Sequence, residues 1–191
     1  MPNCKNQPLE FILASASPRR EEILKLLNYP FKICPASIDE QVKSIKDVVK
    51  MAKEKALWVF KQNPHALVLG ADTVVMCKGR ILGKPANLQQ AQEMLLSLSG
   101  KTHQVITGVC LVKEGVLLQK AITTFIKVNT LSLNQIQDYL SHENVLDAAG
   151  SYKIQGSFAK FVPKIKGDYL NVVGLPLFWV YQKLKKMNVL Q

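Results

Sequence analysis

The sequence predicts an α/β protein with a mixed, twisted sheet and flanking helices. Three observations carry that reading. Short apolar runs of strand length alternate along the chain with segments whose apolar residues recur at helical spacing. A hairpin signal, Lys78-Gly79, interrupts the alternation, so the sheet cannot be wholly parallel. The chain has 191 residues, 48% of them hydrophobic, which suffices for one domain with a sizeable core. Residues 1–191 are therefore read as a single domain, with no repeat and no linker.

The elements follow in order. Glu10-Phe-Ile-Leu-Ala14 is an apolar run that reads as a buried strand. Ser17 is a good N-cap and Pro18 suits the first helical position, so a helix opens there and ends before Asn28-Tyr-Pro30. A second helix fits Ile45 to Gln62, with Ile45, Val48, Val49, Ala52, Ala56, Val59 and Phe60 as its apolar stripe. Ala66 to Met76 reads as one or two strands, and Arg80-Ile-Leu82 returns after the hairpin turn. Asn87 to Ser99 is a third helix, with Asn87 and Gln90 as a capping pair and Gly100 as the stop. His103–Lys113 and Val116–Thr130 are two long strands joined at Glu114-Gly115. Ser132-Leu-Asn-Gln135 is a capping-box pattern opening a helix to about His142. A glycine-punctuated stretch runs to Gly174, and Pro176 starts a final amphipathic helix.

Composition excludes several classes. With 20% charged residues, 10 glycines and 9 prolines, the chain is neither disordered nor collagen-like. Charges interrupt every apolar stretch before it could span a bilayer, and Met1 to Glu10 is polar without a signal-peptide core, so the cytoplasm is the expected compartment. Cys4, Cys34, Cys77 and Cys110 are far apart, lack zinc spacing and are read as reduced thiols.

Charge gives the first functional hint. There are 25 Lys and Arg against 14 Asp and Glu, a net of +11. From Gly150 onward the one acid is Asp168, against seven lysines at 153, 160, 164, 166, 183, 185 and 186. Such a field attracts polyanions: nucleic acid, acidic lipid or a polyphosphate substrate. It is equally what a solvated basic surface looks like.

Ser15-Ala-Ser-Pro-Arg-Arg20 is the strongest local signal. A strand passes through small residues into a helix N-terminus, where exposed N–H groups receive anions. Arg19 and Arg20 sit in the first turn, where the helix dipole disfavours cations. Either something negative lies between them, or they point to water or pair with Glu21 and Glu22. Asp72 lies in an otherwise apolar run, where a carboxylate is costly without a cation or hydrogen bonds. It could hold a metal or serve as general base for water, or face solvent at a strand end. Lys55 falls on the apolar stripe of the second helix, sharing a face with Val48, Ala52 and Val59. It either snorkels or reaches a charged site. Asp39-Glu40 adds carboxylates of the type Mg²⁺ takes beside substrate phosphates, and Lys84 stands on a loop between Gly83 and Pro85. Gln155, in Tyr152-Lys-Ile-Gln-Gly156, could read a base edge or be a plain loop residue. His65, His103 and His142 lack metal-ligand spacing and receive no role.

Taken together, the chain resembles the Maf family of nucleoside triphosphate pyrophosphatases. The matching pieces are Leu13-Ala-Ser-Ala-Ser-Pro-Arg-Arg20, Ala52-Lys-Glu-Lys-Ala56, Leu69-Gly-Ala-Asp-Thr-Val74, Gly83-Lys-Pro85, Leu98-Ser-Gly-Lys-Thr-His103, Ala149-Gly-Ser-Tyr152, Ile154-Gln-Gly156 and Asn171-Val-Val-Gly-Leu-Pro176. They keep the family's order across nearly the whole chain. The resemblance implies a fold like that of the inosine triphosphate pyrophosphatases, with two lobes around a cleft. It implies hydrolysis of a nucleoside triphosphate to monophosphate and pyrophosphate with a divalent metal, Mg²⁺ or Mn²⁺, in a cytoplasmic homodimer. Asp72 matches the catalytic base. Ser15, Arg19, Arg20, Glu40, Lys55, Lys84 and Gln155 match active-site positions, with Glu40 and Asp72 as expected metal ligands. Arg19, Thr73 and Gln155 match positions tied to nucleotide choice.

Ile154-Gln155-Gly156 and Asn171-Val-Val-Gly174 look like the branch acting on dTTP and UTP. Two positions depart from it: Ala148 stands where that branch commonly has lysine, and Lys153 where it has glycine. Ser-Tyr-Lys is more typical of the branch acting on 7-methyl-GTP, which is the rival enzyme reading. The rival from another class is a basic nucleic-acid-binding or cell-division regulatory protein. It leaves the acids at 40 and 72 unexplained and has no evident stacking platform, so nucleic acid is the less favoured partner.

Overall fold

The computed structural model describes residues 9–39, 42 and 44–190. Cys4 and Glu40 lie outside the described residues. The elements are β1 (Phe11–Leu13), α1 (Pro18–Lys25), β2 (Lys32–Ile33), α2 (Ile45–Gln62), β3 (Leu67–Cys77), β4 (Arg80–Leu82), α3 (Leu88–Leu98), β5 (Thr102–Lys113), β6 (Val116–Lys127), α4 (Leu133–His142), β7 (Lys164–Lys166), α5 (Tyr169–Val173) and α6 (Leu177–Lys186), with 3₁₀ turns at Ala149–Ser151 and Ser157–Phe161. No helix is long and apolar enough to cross a membrane among the described residues.

Among these residues one sheet runs β2-β1-β3-β5-β6-β7, with β4 paired to β3. β1 is parallel to β2 and β3, and the remaining pairings are antiparallel. The expected mixed α/β architecture is what the chain adopts. The long β3–β5–β6 meander is its spine; the residues of β3 and β5 alternate between two covered faces, whereas β6 is largely exposed. On one face α2 packs Ala52, Ala56 and Val59 against Val68, Cys110 and Val112. On the other face two clusters sit end to end. One joins α1 and α6, through Ile23, Leu24, Trp179 and Leu184, to Leu69, Ala71 and Val109. The second joins α3 and α4, through Leu95, Leu98, Ile136 and Tyr139, to Val75 and Val105. Thr73 and Thr107, paired across β3 and β5, lie on this face between the two clusters. The face opposite α2 thus carries two neighbouring hydrophobic cores on one continuous sheet, with Val173 packed against both.

Local chemistry sets the helix boundaries. Asn87 Oδ1 accepts from the Gln90 N–H at 2.9 Å while Gln90 Oε1 accepts from the Ala86 N–H. Ser132 and Gln135 form the expected capping box, and Ser44 and Asp47 form a second that opens α2. Several expectations need correction. Ser17 occupies the N-cap of α1, but its side chain makes no capping bond; its N–H turns back to Ser15 Oγ at 3.3 Å. Ile45, placed on the apolar stripe of α2, is the first residue of the helix and is 41% exposed. β6 stops at Lys127 rather than Thr130: Val128 donates to Lys101 O and Asn129 to Phe161 O, which turns the chain off the ladder. Cys34, Cys77 and Cys110 are free thiols, and burial pushes Cys110 up to about 11.

Candidate active site

β1 pairs with β3 only as far as Leu69, and β4 takes up the same edge at Val75. The β3 edge between them has no strand neighbour among the described residues. A cleft of about 1090 Å³ opens there. Ser15, Arg19, Arg20, Lys55, Asp72, Thr73, Lys84 and Gln155 all line it, together with Arg80, Asp147 and Lys153. Every expected site residue except Glu40, which lies outside the described residues, thus reaches one cavity. They come from the loop after β1, from α1, from α2, from β3, from the loop after β4 and from the segment before Gly156.

Asp72 points to the α2 face of β3. Lys55 Nζ donates to its Oδ1 at 2.8 Å, with both side chains nearly buried. Of the two readings of Lys55, reaching a charged site is the one the geometry supports. The approach depends on two glycines. A Cβ on Gly70 would stand 2.1 Å from Ala52 O, and one on Gly108 would stand 2.4 Å from Val48 O. Without side chains there, α2 settles directly onto β3 and β5 and brings Lys55 down beside Asp72.

Thr73, the next residue, faces the opposite side. Its hydroxyl accepts from Arg20 Nη2 at 3.0 Å and lies 3.0 Å from Thr107 Oγ1. Arg20 also donates from Nη1 to Ser15 Oγ at 3.0 Å and from Nε to Gly174 O at 2.9 Å. Thr107 donates to Asn171 O, and Asn171 Nδ2 donates to Val105 O and Thr124 Oγ1. This polar belt crosses the sheet between the two cores and fixes the loop after β1 against Gly174.

Arg19 behaves differently. Its Nη1 pairs with Asp147 Oδ2, and its Nη2 donates to Asp147 O at 2.9 Å. Neither Glu21 nor Glu22 is its partner; Glu21 pairs with Lys25 instead. Lys153 Nζ lies 3.0 Å from the other Asp147 oxygen. Burial pushes the Asp147 carboxyl up, but the hydrogen bonds from Arg19 and Lys153 outweigh it and hold it below its usual value. Glu143 anchors the same segment: its carboxylate accepts from the Ser157 N–H and hydroxyl, each at 3.0 Å, which lowers it. Sequence reasoning gave Asp147 no role. Its one signal was its place immediately before the Ala148-Ala-Gly segment.

Lys84 and Gln155 are exposed at the rim of the cleft. Behind the wall, His103 Nε2 is 2.7 Å from the Tyr152 hydroxyl, and Tyr152 itself lines the cleft. Among the described residues no group of three or more His, Cys, Asp or Glu is placed to hold a metal ion unaided.

A cavity walled by cations around one buried acid defines a site for a polyanion and for hydrolytic chemistry upon it. A family model described as Maf-like protein matches residues 10–187, and the chain belongs to the Maf family. A dTTP/UTP pyrophosphatase of Halalkalibacterium halodurans is 43% identical over 178 residues, covering 91% of this chain and 94% of that protein. A dTTP/UTP pyrophosphatase of Bacillus cereus is 42% identical over 184 residues, covering 94% and 96%. Among solved structures, the Ham1 protein of Staphylococcus aureus aligns over 93% of this chain and 99% of its own, with a TM-score of 0.50 at 11% identity. That likeness extends to the fold alone.

Proposed function

We propose that this protein is a nucleoside triphosphate pyrophosphatase that hydrolyses dTTP and UTP to the monophosphate and pyrophosphate. The observation that carries the reading is Asp72, buried against Lys55 in a cleft otherwise walled by Arg19, Arg20, Lys84 and Lys153. The names of the relatives at 42–43% identity point the same way.

The triphosphate lies along the Ser15–Arg20 loop, with Arg19, Arg20, Lys55 and Lys84 offsetting its charge. Asp72 orients the attacking water and accepts its proton as the water oxygen bonds to the α-phosphorus. The bridging oxygen between the α- and β-phosphates leaves with its electron pair in pyrophosphate. Most of the rate comes from positioning and charge stabilisation, which a fixed cluster of cations supplies. Gln155 meets the base; its amide both donates and accepts, matching a pyrimidine edge that carries carbonyl and N–H. Thr73 contributes by holding Arg20. A divalent cation, Mg²⁺ or Mn²⁺, fits this donor set, since such ions in phosphate sites take one or two carboxylates and complete their shell with phosphate oxygens and water. Asp72, with Glu40 as the second expected ligand, would hold it, and the ion would neutralise phosphate charge. The working form is a cytoplasmic homodimer, which sedimentation and cell fractionation test.

Pyrophosphate release from a panel of dTTP, UTP, 7-methyl-GTP and the ordinary purine triphosphates, with Mg²⁺ and Mn²⁺, tests the reading. Pyrimidine substrates should lead, and Asp72→Asn should lower turnover by two orders of magnitude or more, roughly the scale of losing a general base. The Ser151-Tyr152-Lys153 sequence, which resembles the branch acting on 7-methyl-GTP, makes that nucleotide the second reading; preferential cleavage of that substrate would establish it. A panel with no cleavage, together with steeply salt-dependent oligonucleotide binding, would replace both readings with the regulatory one.

A further inference from the structure

Asp147 lies in the turn between α4 and the 3₁₀ turn at 149–151, across the cleft from α1. Both of its carboxylate oxygens are engaged, one by Arg19 and the other by Lys153, and its carbonyl oxygen takes a second donor from Arg19. Arg19 and Asp147 are 128 residues apart, so the contact is made by the fold and not by the helix. Arg19 has no other hydrogen-bond partner among the described residues.

An isolated exposed ion pair does little. This one is built differently, because both of its ends are fixed. The turn carrying Asp147 is closed by Ala148 N–H to Val145 O and by Gly150 N–H to Gly83 O, each at 3.0 Å. Gly150 adopts φ +70° and presses so close to Val75 that a Cβ would stand 2.8 Å from its side chain. On the other side, Arg20 ties α1 to Ser15, Thr73 and Gly174. A guanidinium has five N–H donors in a rigid fork. Asp147 takes two of them and leaves the others for a ligand, with the side chain already set in place.

We propose that Asp147 is a positioning residue for the polyphosphate: it holds Arg19 and Lys153 side by side at the cleft, so that their remaining donors meet phosphate oxygens without first being ordered. Pre-organised donors bind more tightly because their rotamer entropy is already lost. The depressed titration of Asp147 keeps it ionised throughout the neutral range. The inference rests on the pyrophosphatase reading for its substrate, but the ligand chemistry is that of any phosphate chain.

The test is calorimetric binding of inorganic tripolyphosphate to the full-length protein, alongside steady-state cleavage of UTP. Asp147→Ala should weaken tripolyphosphate about tenfold and raise KM for UTP by a similar factor with kcat little changed, as expected for loss of one pre-organised charge-assisted contact. Asp147→Asn, which keeps the shape and the carbonyl contact, should show a smaller loss in the same direction and stands in if the alanine variant fails to fold. Arg19→Ala/Asp147→Ala should lose clearly less than the two single losses added, keeping only the part of the Asp147 effect that runs through Lys153, a non-additivity that a general structural role would not produce. Unchanged or tighter tripolyphosphate binding in Asp147→Ala, which is what a mere competitor of phosphate would give, overturns the proposal. So do additive losses, or absence of tripolyphosphate binding by the wild type. If the wild type binds tripolyphosphate through Asp147 but cleaves no triphosphate, the pyrophosphatase reading falls and this one stands.

Discussion

Lys55 Nζ stands 2.8 Å from Asp72 Oδ1, with the two side chains 6% and 10% exposed. Sequence proximity does not bring them together, since one is on a helix and the other on a strand 17 residues later. What does is the missing side chain opposite Asp72: Gly108 is its cross-strand partner, and α2 lies against that glycine backbone to backbone. The acid proposed to take a proton is thereby kept out of bulk water and next to a cation at once.

Gly108→Ala should therefore damage the site without touching a charged group. Its Cβ would meet Val48 O at 2.4 Å, a backbone atom that cannot rotate away. α2 must lift, at a cost of about 1–3 kcal/mol or more as in other overpacked cores. Lys55 moves with it. Thermal melting and pyrophosphate release should both fall; a variant with normal melting and normal activity would show that the close approach is unimportant.

The ion pair itself should prove strongly coupled. Removing one member of a buried pair strands the other, at a cost of about 3–5 kcal/mol in comparable sites. Lys55→Met and Asp72→Asn should each lower the urea midpoint, and the double variant should lose clearly less than the two losses added. Strict additivity would mean that the contact contributes nothing specific to folding. Activity should be lost in all three.

Much of this was legible in the sequence, and the reason is local. Caps, apolar periodicity and a hairpin turn fixed α2, α3, α4 and the β3–β4 corner, because those signals act within a few residues. The two-residue β2, the three-residue β7 and the five-residue α5 escaped, since pairing and the Asp168 cap hold them rather than any pattern of their own. The site divides the same way. Asp72 and Lys55 each stood out as a charge where apolar residues were due, so each could be picked singly. Asp147 occupies a loop, where acids are ordinary, and acquires meaning only when the fold closes α1 over it. Thr73, which matches a position tied to nucleotide choice, lines the cleft with its hydroxyl bonded to Arg20 and Thr107, contacts that tertiary packing alone creates.

Gly150→Ala probes the turn that carries Asp147. The native φ of +70° costs an L-residue roughly 1–2 kcal/mol, and the new methyl would press on Val75 at 2.8 Å. The turn has to shift, carrying Asp147 away from Arg19. Stability should drop, and KM for UTP should rise more than kcat falls. A drop in kcat with KM unchanged would place the damage at Asp72 instead.

His103 gives a prediction about acid. The ring is 1% exposed, and burial lowers its pKa from 6.5 to about 4. Its Nε2 meets the Tyr152 hydroxyl, whose own titration burial pushes far up, so both groups are neutral in the folded protein. The unfolded chain binds a proton near pH 6.5, whereas the folded chain resists until about pH 4. Between those values the unfolded state holds more protons, so stability falls as pH drops through the window. The full effect is on the order of 3 kcal/mol. His103→Phe cannot titrate. It should be less stable at pH 7, because the Tyr152 hydroxyl loses its partner inside the core. From pH 6.5 to 4 its melting temperature should decline less steeply than that of the wild type. Parallel declines would show that the acid sensitivity arises elsewhere and that the imidazole is already protonated or reached by water in the folded state.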